Sequence, residues 1–231
     1  THTTNSDRPL SPQETINTYA AKGYHFLMLA DHDQISPLDR LDAKGMALIS
    51  GNEITSNGVH LIHVGATTVV PPHESRQQVL DEIAQVGGFA VMCHPNWEKT
   101  FNHCPQPLLE QLRGYAGIEI YNGVTRRAEG CPYATDRWDM LLSKGRRVWG
   151  FAHDDCHKPE DIGVAWNVVQ ADECTPAAIA EALQAGRFYA STGVEITHIA
   201  VEGRTIQVET ANAERIAFCT NDGRRQATCD G

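Results

Sequence analysis

The sequence predicts an α/β protein whose strands form either a mostly parallel sheet or a barrel. Segments typical of strands and of helices alternate over residues 1–190, which is the pattern of repeated βα units. Polar residues such as His94 and Asp155 directly follow the predicted strands, and a (β/α) barrel builds its active site from these strand ends. A doubly wound sheet usually carries a glycine-rich phosphate loop, and this sequence has none. We therefore prefer a barrel.

Turn and cap signals separate the elements of the first half. Ser11-Pro12-Gln13-Glu14 is typical of a helix start, because serine caps, proline takes the first turn and glutamate occupies the capping-box position. The elements expected before residue 100 are a helix over 11–23, a strand over 24–30, a helical turn over 37–43, strands over 46–50 and 59–64, a helix over 75–86 and a strand over 89–93.

The second half continues the alternation and then changes. Helices are expected over 107–113, 133–143 and 175–186, with strands over 117–121, 147–152 and 163–170. After Gly193 three β-type runs follow, over 195–201, 205–209 and 215–219, with turn signals between them and no obvious closing strand. We expect a barrel domain over residues 1–193 and a small antiparallel β appendage over residues 194–231.

Composition excludes several classes of protein. The net charge of −10 in 231 residues argues against a dedicated nucleic-acid binder, because phosphate affinity comes from Lys and Arg. No apolar run is long enough to span a membrane. The seven cysteines are scattered and include no Cys-x-x-Cys, so we expect a reducing compartment, the cytoplasm, rather than a disulfide framework.

The segment from Gly150 to His157 is the strongest candidate for a metal site. A β-prone run ends there in two carboxylates and two imidazoles, which are ligands that suit Zn, Mn or Fe. Asp155 and His157 are two residues apart, so on a short extended segment they point the same way. His153 precedes the carboxylates and is predicted to orient a ligand or to act as a general acid.

Other histidines divide into predicted ligands and structural residues. His32 and His94 follow strands directly, which favours ligation, and one of Asp31 and Asp33 is expected to hold the other ring nitrogen of His32. His60 and His63 compete, because they are three apart and face opposite sides of a strand. The spacing to Val64-Gly65 favours His60. The histidines interpreted as structural are His25, His73, His103 and His198.

Candidate phosphate contacts are arginines, whose planar forks fit phosphate oxygens. Arg187 follows a glycine that ends a helix and precedes two aromatic residues, so it is expected to reach the site. Arg126 and Arg127 are equally well explained as surface residues. Trp97 and Tyr121 follow strand ends and would either line a pocket for a ring or pack at its rim.

The order of these pieces resembles the PHP (polymerase and histidinol phosphatase) superfamily of metal-dependent phosphoesterases. The matching pieces are His2-Thr3-x-x-Ser6-Asp7, Ala30-Asp31-His32-Asp33, Gly51-Asn52-Glu53-Ile54-Thr55, His60, His94-Pro95, Gly117-Ile118-Glu119-Ile120-Tyr121-Asn122-Gly123 and Asp154-Asp155-x-His157. The stretch from Gly186 to Gly193 is also similar to the single-domain phosphoesterases and the carbaryl-hydrolase-like branch.

This resemblance implies a distorted (β/α)7 TIM-like barrel with two or three divalent metal ions. The implied first set of ligands is His2, Glu53 and Asp155; the second is Glu53, His60 and His94; the third is Asp7, His32 and His157. The family pattern begins His-x-His, so its first histidine would lie one position before Thr1. We expect that histidine and its strand to lie upstream of this sequence.

The predicted function is a metal-dependent hydrolase, a phosphoesterase that acts on a small phosphate monoester or diester such as a nucleotide. A coordinated water whose pKa is lowered towards ~7 would be the nucleophile, and the predicted catalytic residues are Asp155, His157, His153 and Arg187. Two alternatives stay open: a carbamate, ester or amide hydrolase with the same metal centre, and a non-catalytic PHP scaffold.

Overall fold

The computed structural model describes residues 1–230, in which five helices are distributed among nine strands as far as residue 191. The helices are α1 (Pro12–Ala21), α2 (Arg76–Val86), α3 (Gln106–Gln111), α4 (Thr135–Ser143) and α5 (Pro176–Ala185). The strands are β1 (Phe26–Met28), β2 (Ala47–Ile49), β3 (Gly51–Ile54), β4 (Leu61–Val64), β5 (Phe89–Met92), β6 (Tyr115–Asn122), β7 (Trp149–His153), β8 (Trp166–Val169), β9 (Phe188–Ser191), β10 (Ile196–Glu202), β11 (Thr205–Thr210), β12 (Arg215–Thr220) and β13 (Arg224–Asp230).

A mixed five-stranded sheet in the order β3-β4-β5-β6-β7 carries the structure. Strand β4 is antiparallel to both of its neighbours, whereas β5, β6 and β7 run parallel. Strand β1 pairs with β2 in parallel, and an isolated parallel bridge from His32 to Glu53 extends this pairing towards β3. Strands β8 and β9 form a separate antiparallel pair.

The predicted α/β class is confirmed, but the expectation of a mostly parallel sheet is wrong at β3 and β4. Only the loop 55–60 joins these strands, and a parallel connection needs a crossover of a dozen or more residues. Asn57 lies in this loop with a φ of 67°, followed by Gly58. This Asn-Gly pair is a hairpin signal that outweighs the strand–helix alternation elsewhere.

Helices cover both faces of the sheet. Leu80 of α2, Leu109 of α3 and Leu141 of α4 belong to one buried apolar cluster. Ile179 and Leu183 of α5 pack in a second cluster on the other side. Because both faces are buried, strands β4 and β5 consist wholly of buried residues.

Cap chemistry explains where α1 begins. The Ser11 backbone N–H donates to Glu14 Oε2 over 2.8 Å, and the Glu14 N–H donates to Ser11 Oγ over 3.3 Å, which is the predicted capping box. The helical turn expected over 37–43 does not form. Instead, Gln13 of α1 pairs its side-chain amide with the backbone N–H and carbonyl of Asp42, so that backbone is satisfied without a helix.

Two antiparallel hairpins follow β9, one formed by β10 and β11 and the other by β12 and β13. The closing strand β13 was not expected, because Arg224-Arg225-Gln226 reads as polar. Ala227 pairs with Phe218, which brings a small apolar side chain onto the apolar face of that hairpin. The expected appendage extends to Gly231, which lies outside the described residues. None of the helices in residues 1–230 has the length and hydropathy needed to cross a bilayer.

Candidate metal centre

A buried group of one histidine and two carboxylates joins distant parts of the chain. His2 Nε2 lies 3.0 Å from Glu53 Oε2 and 2.9 Å from Asp155 Oδ1. Glu53 belongs to β3, and Asp155 follows β7. The structure therefore brings together the three residues of the first predicted ligand set.

The other oxygen of Glu53 faces a second group. His60 Nδ1 lies 2.9 Å from Glu53 Oε1 and 3.0 Å from His94 Nε2, and His94 Nε2 lies 3.8 Å from Glu53 Oε1. His63 is elsewhere: its ring Nε2 is 2.8 Å from the carbonyl oxygen of Gly87. Glu53 thus presents one oxygen to each group, as a carboxylate that bridges two metals would.

The third predicted set is more open. His32 stacks on His2 with 4.1 Å between ring centroids, and its Nε2 lies 3.5 Å from Asp7 Oδ1. His157 packs edge-on against His2, and its Nδ1 contacts the Asp155 carbonyl oxygen at 2.6 Å. An imidazole held at Nδ1 by a carbonyl keeps its Nε2 lone pair for a metal. Asp7 retains 51% of its side-chain exposure, the most open of these residues.

Unsatisfied buried atoms indicate that these groups are built for a cation. His2 Nδ1, His32 Nδ1 and Glu53 Oε1 are buried without an aligned hydrogen-bond partner, although buried polar atoms nearly always have one. His2, Asp155 and His157 have ligand atoms close enough to share one ion, as do His2, His32 and Glu53. Imidazole and carboxylate donors fit a divalent metal such as Zn, Mn or Fe.

The buried carboxylates change the protonation of two histidines. Burial alone would lower the pKa of His2, but hydrogen bonds to Asp155 and Glu53 raise it to about 9. Burial would likewise lower the pKa of His94, but its hydrogen bond to Glu119 raises this pKa to about 9. A metal that bound these two rings would therefore have to displace protons from them at neutral pH.

Glu119 of β6 is a site residue that sequence reasoning quoted but did not assign a role. Its Oε2 accepts from the His94 N–H over 2.6 Å and lies 3.1 Å from His94 Nδ1, while its Oε1 lies 2.7 Å from His153 Nδ1. Burial would raise the pKa of Glu119, but His153 and His94 lower it to about 2. The feature of the sequence that could have indicated this role is a charged residue between two isoleucines of a buried strand.

Asn122 links Glu119 to Asp155, one of the predicted ligands. Its Nδ2 donates to Glu119 Oε2 and Asp155 Oδ2, each over 3.1 Å, and its Oδ1 accepts from the backbone N–H and hydroxyl of Thr125. Asp155 and His94 adopt positive φ values of 49° and 26°. Such backbone conformations persist when surrounding contacts impose them, and Asn122 and Glu119 provide those contacts.

We expect Glu119→Gln to weaken metal binding by about 10- to 100-fold, the usual effect of losing a residue that orients a metal ligand. The glutamine keeps the size of the side chain but cannot accept from both His94 and His153. Metal titration by calorimetry measures the effect. Glu110→Gln, on the surface of α3, is the matched control, and an unchanged affinity in Glu119→Gln would contradict the orienting role.

His103, interpreted from sequence as structural, lies beside the second group. Its ring centroid is 4.5 Å from that of His60, and its Nε2 accepts from the His60 backbone N–H over 3.0 Å. His103 Nδ1 lies 3.0 Å from Glu98 Oε1, so both ring nitrogens are engaged. Trp97 packs against His60, His94 and His103, so its indole ring borders the second group.

Arg187 does not reach the cluster. It follows Gly186, where an added Cβ would lie 2.5 Å from the Trp149 ring, and Trp149 begins the strand that His153 ends. Four residues of strand separate these ends by roughly 13 Å, and Arg187 instead pairs with Glu181 at 3.1 Å. The expectation that Arg187 contacts the site is therefore corrected: the strand β9 starts at the opposite end of β7.

The aspartates beside His32 also differ from expectation. Asp31 accepts from the backbone N–H and hydroxyl of Thr3 and from the Ser6 hydroxyl. Asp33 accepts from Thr55 and Ser56. Neither holds the His32 ring, because both carboxylates are used to anchor loops.

Comparisons with known proteins give one family-model match and one sequence relative. The PHP-associated family model matches residues 148–188, which include Asp155 and His157. A 5'-3' exoribonuclease of Haemophilus influenzae is 41% identical over 69 residues, covering 26% of this chain and 25% of that protein. The match thus spans a quarter of the length of that curated relative.

Solved structures share the fold. A two-domain protein from Bacteroides vulgatus containing a predicted PHP-like metal-dependent phosphoesterase has a TM-score of 0.64 at 19% identity, over 98% of this chain and 82% of that one. An amidohydrolase from Chromobacterium violaceum with bound SO4 has a TM-score of 0.51 at 17% identity, over 81% and 95%. PsfC from Pseudomonas syringae has a TM-score of 0.54 at 12% identity, over 77% and 81%. The local family-model match and the shared fold both agree with the predicted resemblance to the PHP superfamily.

Proposed function

We propose that the protein is a metal-dependent phosphoesterase that cleaves a small phosphate monoester or diester, such as a nucleotide. The observation that carries the proposal is the position of Glu53, whose two oxygens face two separate groups of metal-ligating side chains. The names of the relatives agree with this class: one is a 5'-3' exoribonuclease, and another contains a predicted PHP-like metal-dependent phosphoesterase.

The proposed architecture is the distorted seven-stranded barrel over residues 1–193, with the β appendage over residues 194–231. Parallel pairing of β5, β6 and β7 supports this arrangement. So does the position of His94, Asn122 and Asp155, each at the carboxyl end of one of these strands, where barrels place their active sites.

Two or three divalent metals would be held by the residues already described. The ligands proposed for them are His2, Asp7, His32, Glu53, His60, His94, Asp155 and His157. A divalent metal supplies a lowered pKa for coordinated water and polarises a phosphoryl oxygen. Zn, Mn and Fe all suit this donor set.

His153 is the proposed proton donor to the leaving group. Its Nδ1 is fixed against Glu119 Oε1 at 2.7 Å, which orients the ring and leaves Nε2 to exchange protons. In its protonated form the ring would donate from Nε2 to the oxygen of the departing alcohol. Trp97, beside His60 and His94, would offer a flat surface to a nucleotide base.

Metal content by elemental analysis, measured together with turnover of three substrates, tests the proposal. We expect two or three metals per chain and hydrolysis of p-nitrophenyl phosphate or bis-p-nitrophenyl phosphate, with loss of both after EDTA treatment. Turnover of naphthyl acetate alone would favour the carbamate or ester hydrolase. A chain that binds no metal, even with added Mn or Zn, would instead be a scaffold.

A further inference from the structure

Arg8 is a largely buried cation at the third group of the centre. Its side chain is 15% exposed, and its Nε lies 3.1 Å from Asp7 Oδ1. The same Asp7 Oδ1 lies 3.5 Å from His32 Nε2. The guanidinium therefore shares the Asp7 carboxylate with His32 of the third group.

The donors of Arg8 are mostly free. Within residues 1–230 its one side-chain hydrogen bond is a long one, from Nη1 to the Asp7 carbonyl oxygen at 3.5 Å, and its Nε is buried without an aligned partner. A guanidinium has five N–H donors; leaving the buried Nε unsatisfied costs free energy, and the terminal nitrogens are not buried and have room for a ligand. This pattern is expected of a group that binds a ligand.

The loop that carries Arg8 is held rigidly. The Arg8 and Ser6 backbone N–H groups both donate to the Thr3 carbonyl, over 3.2 and 3.1 Å. Thr3 and Ser6 are tied in turn to the buried Asp31 carboxylate. The Arg8 backbone is thus held in place before any ligand arrives, which reduces the entropic cost of binding.

Other arginines near the centre are already engaged. Arg127 makes a two-pronged pair with Asp161, with distances of 2.8 and 2.6 Å. Arg76 donates to four backbone carbonyls of the loops around residues 55–59 and 73. Arg187 lies at the opposite end of β7. Arg126 uses only its Nε, which donates to the Gly123 carbonyl over 3.3 Å, but this residue is exposed. Arg8 differs from it in being mostly buried beside Asp7 with its fork available.

We infer that Arg8 binds the phosphate group of the substrate and selects phosphate esters over uncharged esters. The inference rests on the proposed function of the centre and narrows its substrate class. A guanidinium donates two parallel hydrogen bonds to two phosphoryl oxygens, and its charge offsets the carboxylates of Asp7 and Asp155. An uncharged carbamate or acetate ester offers it no such partner.

Calorimetric titration of the metal-loaded full chain with inorganic phosphate tests this inference. We expect Arg8→Met to raise the dissociation constant of phosphate about 10- to 100-fold, the range for losing hydrogen bonds to a charged group. Arg8→Lys keeps the charge but loses the fork, so a smaller increase is expected. Arg40→Met removes an equivalent charge from a 93% exposed position and should leave the constant unchanged.

Metal content is measured for every variant and is expected to stay at the wild-type value. Equal phosphate affinity in Arg8→Met and wild type, or no phosphate binding by the wild type, would overturn the inference. So would weaker phosphate binding that added metal restores, since Arg8 would then support the metal. Phosphate binding that depends on Arg8 without ester turnover would instead refute the proposed hydrolysis, whereas turnover that is indifferent to Arg8 would refute only this inference.

Discussion

Glu53→Gln is expected to abolish metal loading and hydrolysis together, lowering activity by at least about 10³-fold, the upper range for losing one preorganised electrostatic group. The two carboxylate oxygens lie 3.0 Å from His2 Nε2 and 2.9 Å from His60 Nδ1. Glutamine has one acceptor oxygen, so its amide N–H₂ must face one of the two groups. Whichever group it faces loses an anionic ligand.

The measurement is elemental analysis of the purified variant, followed by turnover of a phosphate ester. Glu181→Gln is the matched control, because Glu181 is 69% exposed and pairs only with Arg187 among the ion pairs of residues 1–230. Circular dichroism confirms that the variant is folded. Full activity with a wild-type metal content in Glu53→Gln would show that Glu53 does not bridge the groups.

The metal-free protein is expected to lose stability as the pH rises from 6.5 to 9. The pKa values of His2 and His94 are raised from 6.5 to about 9 in the folded state. A histidine with a raised pKa stabilises the fold fully below its unfolded pKa, and this contribution disappears as the pH passes the folded pKa. Each shift corresponds to on the order of 3 kcal/mol.

Bound metal is expected to reverse this dependence of stability on pH. A metal binds the unprotonated imidazole, so raising the pH removes the competing protons and increases metal affinity. The pKa values of His32, His103 and His157 are lowered in the folded state, so these rings do not contribute to the loss of stability as the pH rises. The melting temperature should therefore fall with pH in EDTA and rise or remain level with Mn²⁺.

Thermal unfolding between pH 6 and 9, with and without metal, measures the effect. His94→Gln should remove about half of the slope in EDTA, whereas His198→Gln, in the exposed hairpin, should leave it intact. Calorimetry in buffers of different ionisation enthalpy should detect protons released by the metal. A metal-free melting temperature that stays constant or rises over this range would contradict the prediction.

Much of the grouping of side chains at the centre could be predicted because several of the predicted ligands follow strands. His94 and Asp155 stand where an apolar run turns polar, and this boundary is visible without coordinates. His60 was preferred over His63 on spacing, and the structure turns His60 towards Glu53 and His63 towards Gly87. Alternation along a strand decides which of two nearby histidines faces a site.

The remaining features depend on contacts between distant segments. Glu119 lies inside a strand rather than at its end, so its role appears only when β5 and β7 pair on either side of β6. Arg187 was misplaced because a motif does not reveal at which end of a strand it starts. Strand β4 is antiparallel to β3 because a short loop with an Asn-Gly pair joins them, and the alternation of strands and helices elsewhere in the sequence does not indicate this turn.

His2 and Asp155 meet across 153 residues of sequence, and this separation has a consequence for folding. No short contiguous fragment of the chain contains both, so a metal bound by them would recognise the assembled tertiary structure rather than a local segment. Metal binding should therefore slow hydrogen exchange through global opening across β3 to β7 as a unit, by RT ln(1 + [metal]/Kd). A bound ion would therefore stabilise the strands from β3 to β7 together, and it could bind only after the distant segments that carry His2 and Asp155 have folded against each other.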